Sequence, residues 1–291
     1  MTFKELNQEI IKCANMDFVS ASNHLETVIF ALNKPETLDL ILEIGTIPEN
    51  IAHDSTEEKL YTKISDILFA KALKEMNFTV QVLRERADCA DIIVQSRFHR
   101  YSFVGDAKAF RLSRTAKNAK DFKVSSMDHW RGDCNYSVLV CPYFQYPKNK
   151  SQIYKEALEK NVALFSWEYL YILLKEDVQE STTVDLRELW TQSAEIYNQT
   201  TGANLKSNFL EQQNQNLIKI LNITNNKFNK YFYSIKNALI KRGNIEITYY
   251  EKEINRVKRL NREEAINELL LSMKLDSKIN TIKAFIEQIK R

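Results

Sequence analysis

The sequence contains few of the residues that interrupt regular structure. It has 5 glycines and 4 prolines among 291 residues, which argues against an all-β protein with many loops. The glycines form neither GxGxxG nor GxxxxGK[ST], so the usual loops for nucleotide hydrolysis and S-adenosylmethionine chemistry are missing. There is no long apolar run and no signal peptide. We therefore expect a soluble, cytoplasmic protein with no membrane partner.

Spacings typical of zinc sites are also missing. The cysteines show no CxxC pattern, so we expect free thiols that fill core space. They are Cys13, Cys89, Cys134 and Cys141. The histidines have no HNH or HxK context, and for each we expect a surface or core position. They are His24, His53, His99 and His129. Trp130, Trp167 and Trp190 are expected in the core rather than as platforms for stacked bases.

Positive and negative residues almost cancel over the whole chain, but positive residues are concentrated in parts of it. The formal net charge is only +3, so binding to nucleic acid cannot be argued from total charge. Residues 97–124, however, hold eight Lys and Arg against two Asp and no Glu. These cations alternate with Ser113, Thr115 and Asn118 rather than with glutamates, which favours phosphate contacts over ion pairs within a helix. A second basic stretch, 227–262, is explained equally well as a solvated face.

Helical patterns begin and end the chain. Residues 2–44 have apolar positions at helical spacing. Ser55 with Glu58 fits a capping box, which opens a helix that ends near Met76. Residues 185–291 are also expected to be nearly all helical, with Asn261 and Glu264 as one further cap.

In the middle of the chain, some short runs alternate between apolar and polar residues and others are wholly apolar. Both patterns predict strands. These runs are 78–83, 91–95, 100–110, 136–144 and 161–167. A helix at about 150–160 separates the last two, which favours a parallel pair with a crossover. The fold class is therefore α/β (α+β), a mixed central sheet flanked by helices. We expect residues 1–184 to form a helical region plus this core. Residues 185–291 would pack on it after a linker near 198–208.

Two carboxylates and a lysine are expected to meet on this sheet. Residues i and i+2 of a strand face the same way, so Asp106 and Lys108 project together. If 91–95 and 101–110 pair antiparallel about residues 98 and 99, Asp91 lies opposite Asp106. Paired carboxylates favour a divalent cation, and ligands that are all oxygens suit Mg²⁺. Lys108 would orient a water molecule and stabilise charge on a phosphate. This is the arrangement of PD-(D/E)xK nucleases.

Other acidic residues compete for the same role. Asp121 and Lys123 repeat the Asp-x-Lys spacing, but "KDFKV" is expected to begin a helix or loop and to support catalysis or contact DNA. Glu58 could complete a metal site from the preceding helix, although the capping box explains it equally well. Glu85 could turn towards Asp91 or pair with Arg84 or Arg86 in solvent.

Several segments resemble the HindIII family of type II restriction endonucleases. They are "STEEKLYTKISDILFAKAL" (55–73), "GDAKAFRLSRTAKNAKDFKV" (105–124), "PYFQYPKNKSQIYK" (142–155), "NVALFSWEYLYILL" (161–174) and "LNREEAINELL" (260–270). The resemblance implies the PD-(D/E)xK fold and a Mg²⁺-dependent homodimer acting on double-stranded DNA. It also implies cleavage of AAGCTT after the first A, leaving 5′ overhangs, and a cognate DNA methyltransferase that protects the same site without stable binding.

The resemblance also implies roles for particular residues. Asp91, Asp106 and Lys108 correspond to the catalytic set, with the Ala107 carbonyl as a further metal ligand. Asn118, Asp121 and Lys123 fall in the segment that meets DNA near the scissile bond. Independently of the resemblance, the basic segment predicts that Arg111, Arg114, Lys117 and Lys120 anchor backbone phosphates. Arg84 stands where an acidic residue is expected, and Glu85 could replace it.

Two other functions fit the same residues. One is a structure-specific nuclease of the resolvase or repair type. The other is a DNA-binding regulator with a degenerate nuclease core, against which the presence of Asp91, Asp106 and Lys108 argues.

Overall fold

Three helices precede the sheet, as predicted for residues 2–44. The computed structural model describes residues 1–83, 89–114, 118–147, 151–191, 205–274 and 278–283. The first helices are α1 (Phe3–Cys13), α2 (Phe18–Phe30) and α3 (Lys34–Ile44). Each begins after a polar residue whose side chain accepts a backbone N–H of the first turn, which satisfies a donor that the helix itself leaves unpaired. These residues are Thr2, Asp17 and Asn33.

The long helix α4 (Thr56–Glu75) carries the apolar face that covers the sheet. Ser55 is its N-cap and accepts the Glu58 N–H at 3.1 Å, as predicted. The predicted capping box is nevertheless only half formed. The Glu58 carboxylate accepts the N–H of Asp54 at 2.8 Å and contacts Arg111. The carboxylate therefore binds Arg111 and the Asp54 N–H instead of the Ser55 N–H that a complete capping box requires.

The predicted strands form one mixed sheet of five strands in sequence order. They are β1 (Thr79–Val82), β2 (Ile92–Gln95), β3 (Ser102–Ala107), β4 (Tyr136–Cys141) and β5 (Val162–Ser166). The β1–β2 and β2–β3 pairs are antiparallel, whereas β3–β4 and β4–β5 are parallel. The sheet confirms the predicted fold class, and each strand is shorter than its predicted run.

The register of the β2–β3 hairpin is the predicted one. Ile92 pairs with Gly105 and Gln95 with Ser102, which centres the pairing between residues 98 and 99. Gly105 also sets the distance between β3 and α4. A Cβ built on it would lie 2.6 Å from Phe69 Cε1 of α4 and 2.8 Å from Ile92 Cγ1. Only a residue without a side chain therefore fits this position.

Helices cover both faces of the sheet. Between β3 and β4 lie α5 (Ala119–Phe122) and α6 (Val124–Trp130), and α7 (Gln152–Glu159) is the predicted crossover between β4 and β5. A 3₁₀ turn (Tyr143–Gln145) precedes α7. Helices α6 and α7 pack on one face, while α4 and α8 (Trp167–Lys175) belong to the core on the other. Both faces are thus buried, as the apolar β4 and β5 sequences require.

Most of the described residues of the C-terminal region are helical, as predicted. Its helices are α9 (Arg187–Trp190), α10 (Leu205–Leu221), α11 (Asn225–Lys258) and α12 (Arg262–Ser272). Asn261 and Glu264 form the predicted capping box of α12. The chain divides into two compact units, Met1–Gly243 and Asn244–Arg291. The division after residue 184 and the linker, which lies mainly outside the described residues, stay predictions.

The core also bears out the predictions for small residue classes. None of the four cysteines, all of which are described, forms a disulfide; Cys13 and Cys141 are buried as predicted, whereas Cys89 and Cys134 are only half-buried. Trp167 and Trp190 are buried in the core, and Trp130 packs partly buried against its edge. Within the described part of the chain, the helices lack the length and apolar character needed to cross a bilayer.

Candidate active site

Asp106 and Lys108 lie side by side where β3 ends. Asp106 is on the strand and only 2% exposed. Lys108 follows the strand, but its N–H donates to Val140 O at 2.7 Å, so its backbone still runs beside β4. This extension keeps the two side chains on one side, and Lys108 Nζ forms an ion pair with Asp106 Oδ2. The structure therefore joins these two predicted residues.

Asp91 completes the predicted set from the neighbouring strand. Its N–H donates to Gly105 O at 3.0 Å, and its carbonyl accepts the Leu83 N–H at 2.8 Å. These bonds fix the residue between β1 and β3, directly across from Asp106. The Asp91 carboxyl group is therefore close enough to Asp106 to be affected by its charge.

The charges of this set are strongly coupled. Burial, followed by the charge of Asp106, raises the pKa of Asp91 to about 7. Burial opposes the charge of Lys108, but Asp106 and Asp91 outweigh it and raise the pKa of its ammonium. The lysine is therefore fixed as a cation, whereas Asp91 has too little positive charge around it to be fully ionised at neutral pH. A bound cation would supply that charge.

Asp66 is a functional candidate that the sequence reasoning missed. It lies on α4, is almost fully buried, and has an Oδ1 atom without a hydrogen-bond partner. Burial, followed by the charge of Asp91, raises its pKa well above the usual range. Lys63 Nζ lies 3.9 Å from Asp66 Oδ2 and donates to Leu83 O at 2.7 Å. The available signal was a charged residue within the apolar run "ISDILFA".

These oxygens suit a divalent cation. Asp66 Oδ1 and Asp106 Oδ2 are buried without a hydrogen-bond partner, although Lys108 Nζ contacts the latter. Buried carboxylate oxygens are the ligands that Mg²⁺ prefers. With Asp66, the pair is not among the described groups whose ligand atoms all lie within 4.8 Å of one another, so the three carboxylates do not converge on one point. The Asp91–Asp106 pair is thus the centre of the candidate metal site.

The second Asp-x-Lys pair lies in a different environment. Asp121 is on α5, where it accepts the Asn118 N–H at 2.8 Å and contacts Arg114 Nη2 at 2.7 Å. Lys123 is exposed between α5 and α6, with φ of 48° and its Nζ 5.2 Å from the centre of the Trp130 ring. The prediction that this segment begins a helix is confirmed.

Arg111 and Glu58 are joined to each other. Arg111 is buried, and its Nη2 lies 2.6 Å from Glu58 Oε1. Its Nη1 donates to Pro48 O at 2.8 Å. Burial acts to raise the pKa of Glu58, but hydrogen bonds from Arg111 and Asp54 lower it overall. The structure therefore ties the loop after β3 to the beginning of α4 through this ion pair.

The other predicted DNA-contacting residues lie on or beside α5. Asn118, Lys120 and Lys123 are exposed, and the Arg114 side chain is 41% exposed. The remaining predicted residues fall outside the described residues. They are Arg84, Glu85, Arg86, Thr115 and Lys117.

The chain is similar to known restriction endonucleases over nearly its whole length. The family model of the HindIII restriction endonuclease matches residues 6–286. The type II restriction enzyme HindIII of Haemophilus influenzae (strain ATCC 51907 / DSM 11121 / KW20 / Rd) is 41% identical over 276 residues. That alignment covers 95% of this chain and 92% of the relative.

Proposed function

Because the chain belongs to the HindIII restriction endonuclease family, we propose that it is a Mg²⁺-dependent enzyme that cuts double-stranded DNA at AAGCTT. Cleavage after the first A would leave 5′ overhangs with 5′-phosphates. The observation that carries this proposal is the buried Asp91–Asp106 pair beside Lys108. The proposed cellular role is defence against foreign DNA, with a methyltransferase protecting the same sequence.

The proposed roles follow from position and charge. Asp91, Asp106 and the Ala107 carbonyl would hold Mg²⁺, which would supply an activated water and offset charge on the phosphate. Lys108 stays protonated beside Asp106, so its ammonium would orient the attacking water and stabilise the developing negative charge. Asp66 would influence the Asp91–Asp106 pair through its charge.

The α5 region would bind the DNA backbone. Lys120 and Lys123 are exposed and would contact phosphates, with Arg114 and Asn118 beside them. Asp121 supports this surface because it holds both Arg114 and the Asn118 N–H. Lys117 belongs to the same proposal from sequence. Among the described cations of the set, Arg111 is the least accessible, and Glu58 and Pro48 O occupy its donors.

A homodimer is proposed because one active site cuts one strand. A palindromic target requires two sites related by its two-fold axis. The unit Asn244–Arg291 supports this assembly, since its helices expose many large apolar side chains, a pattern that marks interaction surfaces. They are Ile245, Ile247, Ile254, Val257, Ile266, Leu269, Leu270, Leu271 and Met273.

Digestion of a plasmid of known sequence tests the proposal. The protein with Mg²⁺ should give discrete fragments whose ends map to AAGCTT with 5′ overhangs, and EDTA should abolish cutting. Sedimentation of the free protein should show a dimer. Discrete ends at another palindrome would refute the target but keep the enzyme class. Cutting only at branched DNA would favour a structure-specific nuclease, and Mg²⁺-dependent binding without any cut would favour a regulator.

A further inference from the structure

Three groups of metal-ligating side chains lie away from the candidate active site. In the described part of the chain, each group has ligand atoms within 4.8 Å of one another. One contains Glu58, whose oxygens are taken by Arg111 and the Asp54 N–H. Another contains Glu180, whose two carboxylate oxygens accept hydrogen bonds from the hydroxyl groups of Ser96 and Tyr101. Neither of these two groups contains a thiol.

The third group joins the first two helices and is chemically different. Glu9 and Cys13 lie four residues apart on α1, which places both on one face, and His24 lies on α2. His24 Nε2 is 2.8 Å from Glu9 Oε1, and Cys13 is buried beside them. Lys12 Nζ engages the other Glu9 oxygen, Oε2, at 3.0 Å. Oxygen, nitrogen and sulfur atoms from two rigid helices therefore converge on one point.

We propose that Glu9, Cys13 and His24 form a binding site for one Zn²⁺ ion, separate from the Asp91–Asp106 site. Thiolate, imidazole and carboxylate are the ligands that zinc takes in proteins, whereas Mg²⁺ prefers oxygen ligands alone. Three protein ligands leave a fourth position for water. Such an ion would link α1 to α2.

Binding of the ion requires only proton transfers and the replacement of one hydrogen bond in this group. The Cys13 thiol releases its proton to solvent and binds as a thiolate. The proton on His24 Nε2 is lost to solvent and Nδ1 takes one up, so the imidazole stays neutral, and the Glu9–His24 hydrogen bond is replaced by two bonds to the ion. Lys12 keeps Oε2, so Oε1 is the carboxylate oxygen that binds. No oxidation or reduction takes part.

Titration with Co²⁺ tests the site without relying on cleavage. Co²⁺ takes the place of Zn²⁺ and shows near-ultraviolet charge-transfer absorption when a thiolate binds it. The Asp91–Asp106 site can also take Co²⁺, but its oxygen ligands give no such band. The wild-type protein should develop the band at one equivalent, and added Zn²⁺ should remove it.

Variants identify the ligands. Cys13→Ser should abolish the band, and His24→Gln should weaken Co²⁺ binding at least about tenfold. Cys134→Ser and His129→Gln are matched controls that should keep it. Circular dichroism and plasmid cleavage with Mg²⁺ should show that Cys13→Ser still folds. If that variant does not fold, the His24→Gln titration decides. A wild-type protein without the band, a band that survives Cys13→Ser, or unchanged affinity in His24→Gln would overturn the proposal.

Discussion

The two Asp-x-Lys pairs have the same spacing but different surroundings. Asp106 and Lys108 leave a buried strand and contact each other. Asp121 lies in the first turn of α5, paired with Arg114, whereas Lys123 has positive φ and its ammonium lies over the Trp130 ring. Residues two apart share a side in extended backbone but not in a helix. The spacing therefore acquires chemical meaning only from the backbone that carries it.

Their electrostatic settings differ as well. Asp106 faces a second carboxyl group across the hairpin, so the pair is short of positive charge. Asp121 has an arginine at 2.7 Å and a backbone N–H, which satisfy its charge without a metal. We infer that the first pair performs chemistry and the second shapes the surface that binds DNA.

The largest expected effect is on cleavage rate. Asp106→Asn or Lys108→Ala should lower the single-turnover rate about 1000-fold or more, because their charges act on the metal and the transition state. Asp121→Asn and Lys123→Ala should lower it far less. Single-turnover cleavage at saturating enzyme measures this, with DNA affinity as the control. Equal losses in all four variants would place both pairs in the catalytic machinery, and a loss confined to Asp121 and Lys123 would reverse the assignment.

A smaller effect, on the stability of the fold, is expected when a methyl group is added at Gly105, the residue before Asp106. Gly105→Ala places a methyl group 2.6 Å from Phe69 Cε1 and should lower the free energy of unfolding by about 1–3 kcal/mol. Gly243→Ala is a matched control on α11, since its Cβ would approach Leu112 Cδ1 only to 3.8 Å. Urea unfolding measures both. Gly105→Ala with wild-type stability would show that α4 can move away from β3 at no cost.

The carboxyl pair should also give the metal-free protein a distinct pH dependence. The pKa of Asp91 rises from 3.8 to about 7 on folding, so the folded state binds this proton more tightly. Its contribution to stability is fully present below about pH 4 and is lost as pH rises through 7. Asp91→Asn should remove this loss, whereas Asp121→Asn should not. Urea unfolding in EDTA at several pH values measures it, and identical pH profiles for wild type and Asp91→Asn would contradict it.

The smallest expected effect concerns salt. Lys120→Ala and Lys123→Ala should each reduce the slope of log affinity against log salt by about one phosphate contact. Arg111→Ala should leave the slope unchanged and instead lower the melting temperature, because its guanidinium is buried against Glu58. DNA binding at several salt concentrations separates these cases. A reduced slope for Arg111→Ala would show that the ion pair opens when DNA binds.

The relative positions of Asp91, Asp106 and Lys108 could largely be predicted from sequence, because they depend on residues close together in the chain. Strand alternation places Asp106 with Lys108, and a symmetric hairpin places Asp91 opposite Asp106; the observed register is the predicted one. The apolar runs of β4 and β5 likewise predicted buried parallel strands. Each of these inferences needed only the period of a strand and the length of a connection.

Other parts depend on how distant segments pack. Asp66 looked like an ordinary helical residue, because its burial depends on where α4 contacts the sheet. The partner of Glu58 is Arg111, 53 residues away, so a local capping rule could not reveal it. For the same reason, Arg111 looked like a phosphate contact when only its neighbours in sequence were known.

Among the described residues, the charged groups of the candidate active site come from one continuous stretch, Lys63 to Lys108. Such a stretch can be inherited as a block. Recombination on either side of it would exchange the segments proposed to bind DNA or a second subunit while the cutting centre stays intact. Related enzymes could thus diverge in target sequence and keep their chemistry, and a chimaera joined outside this stretch should still cleave DNA.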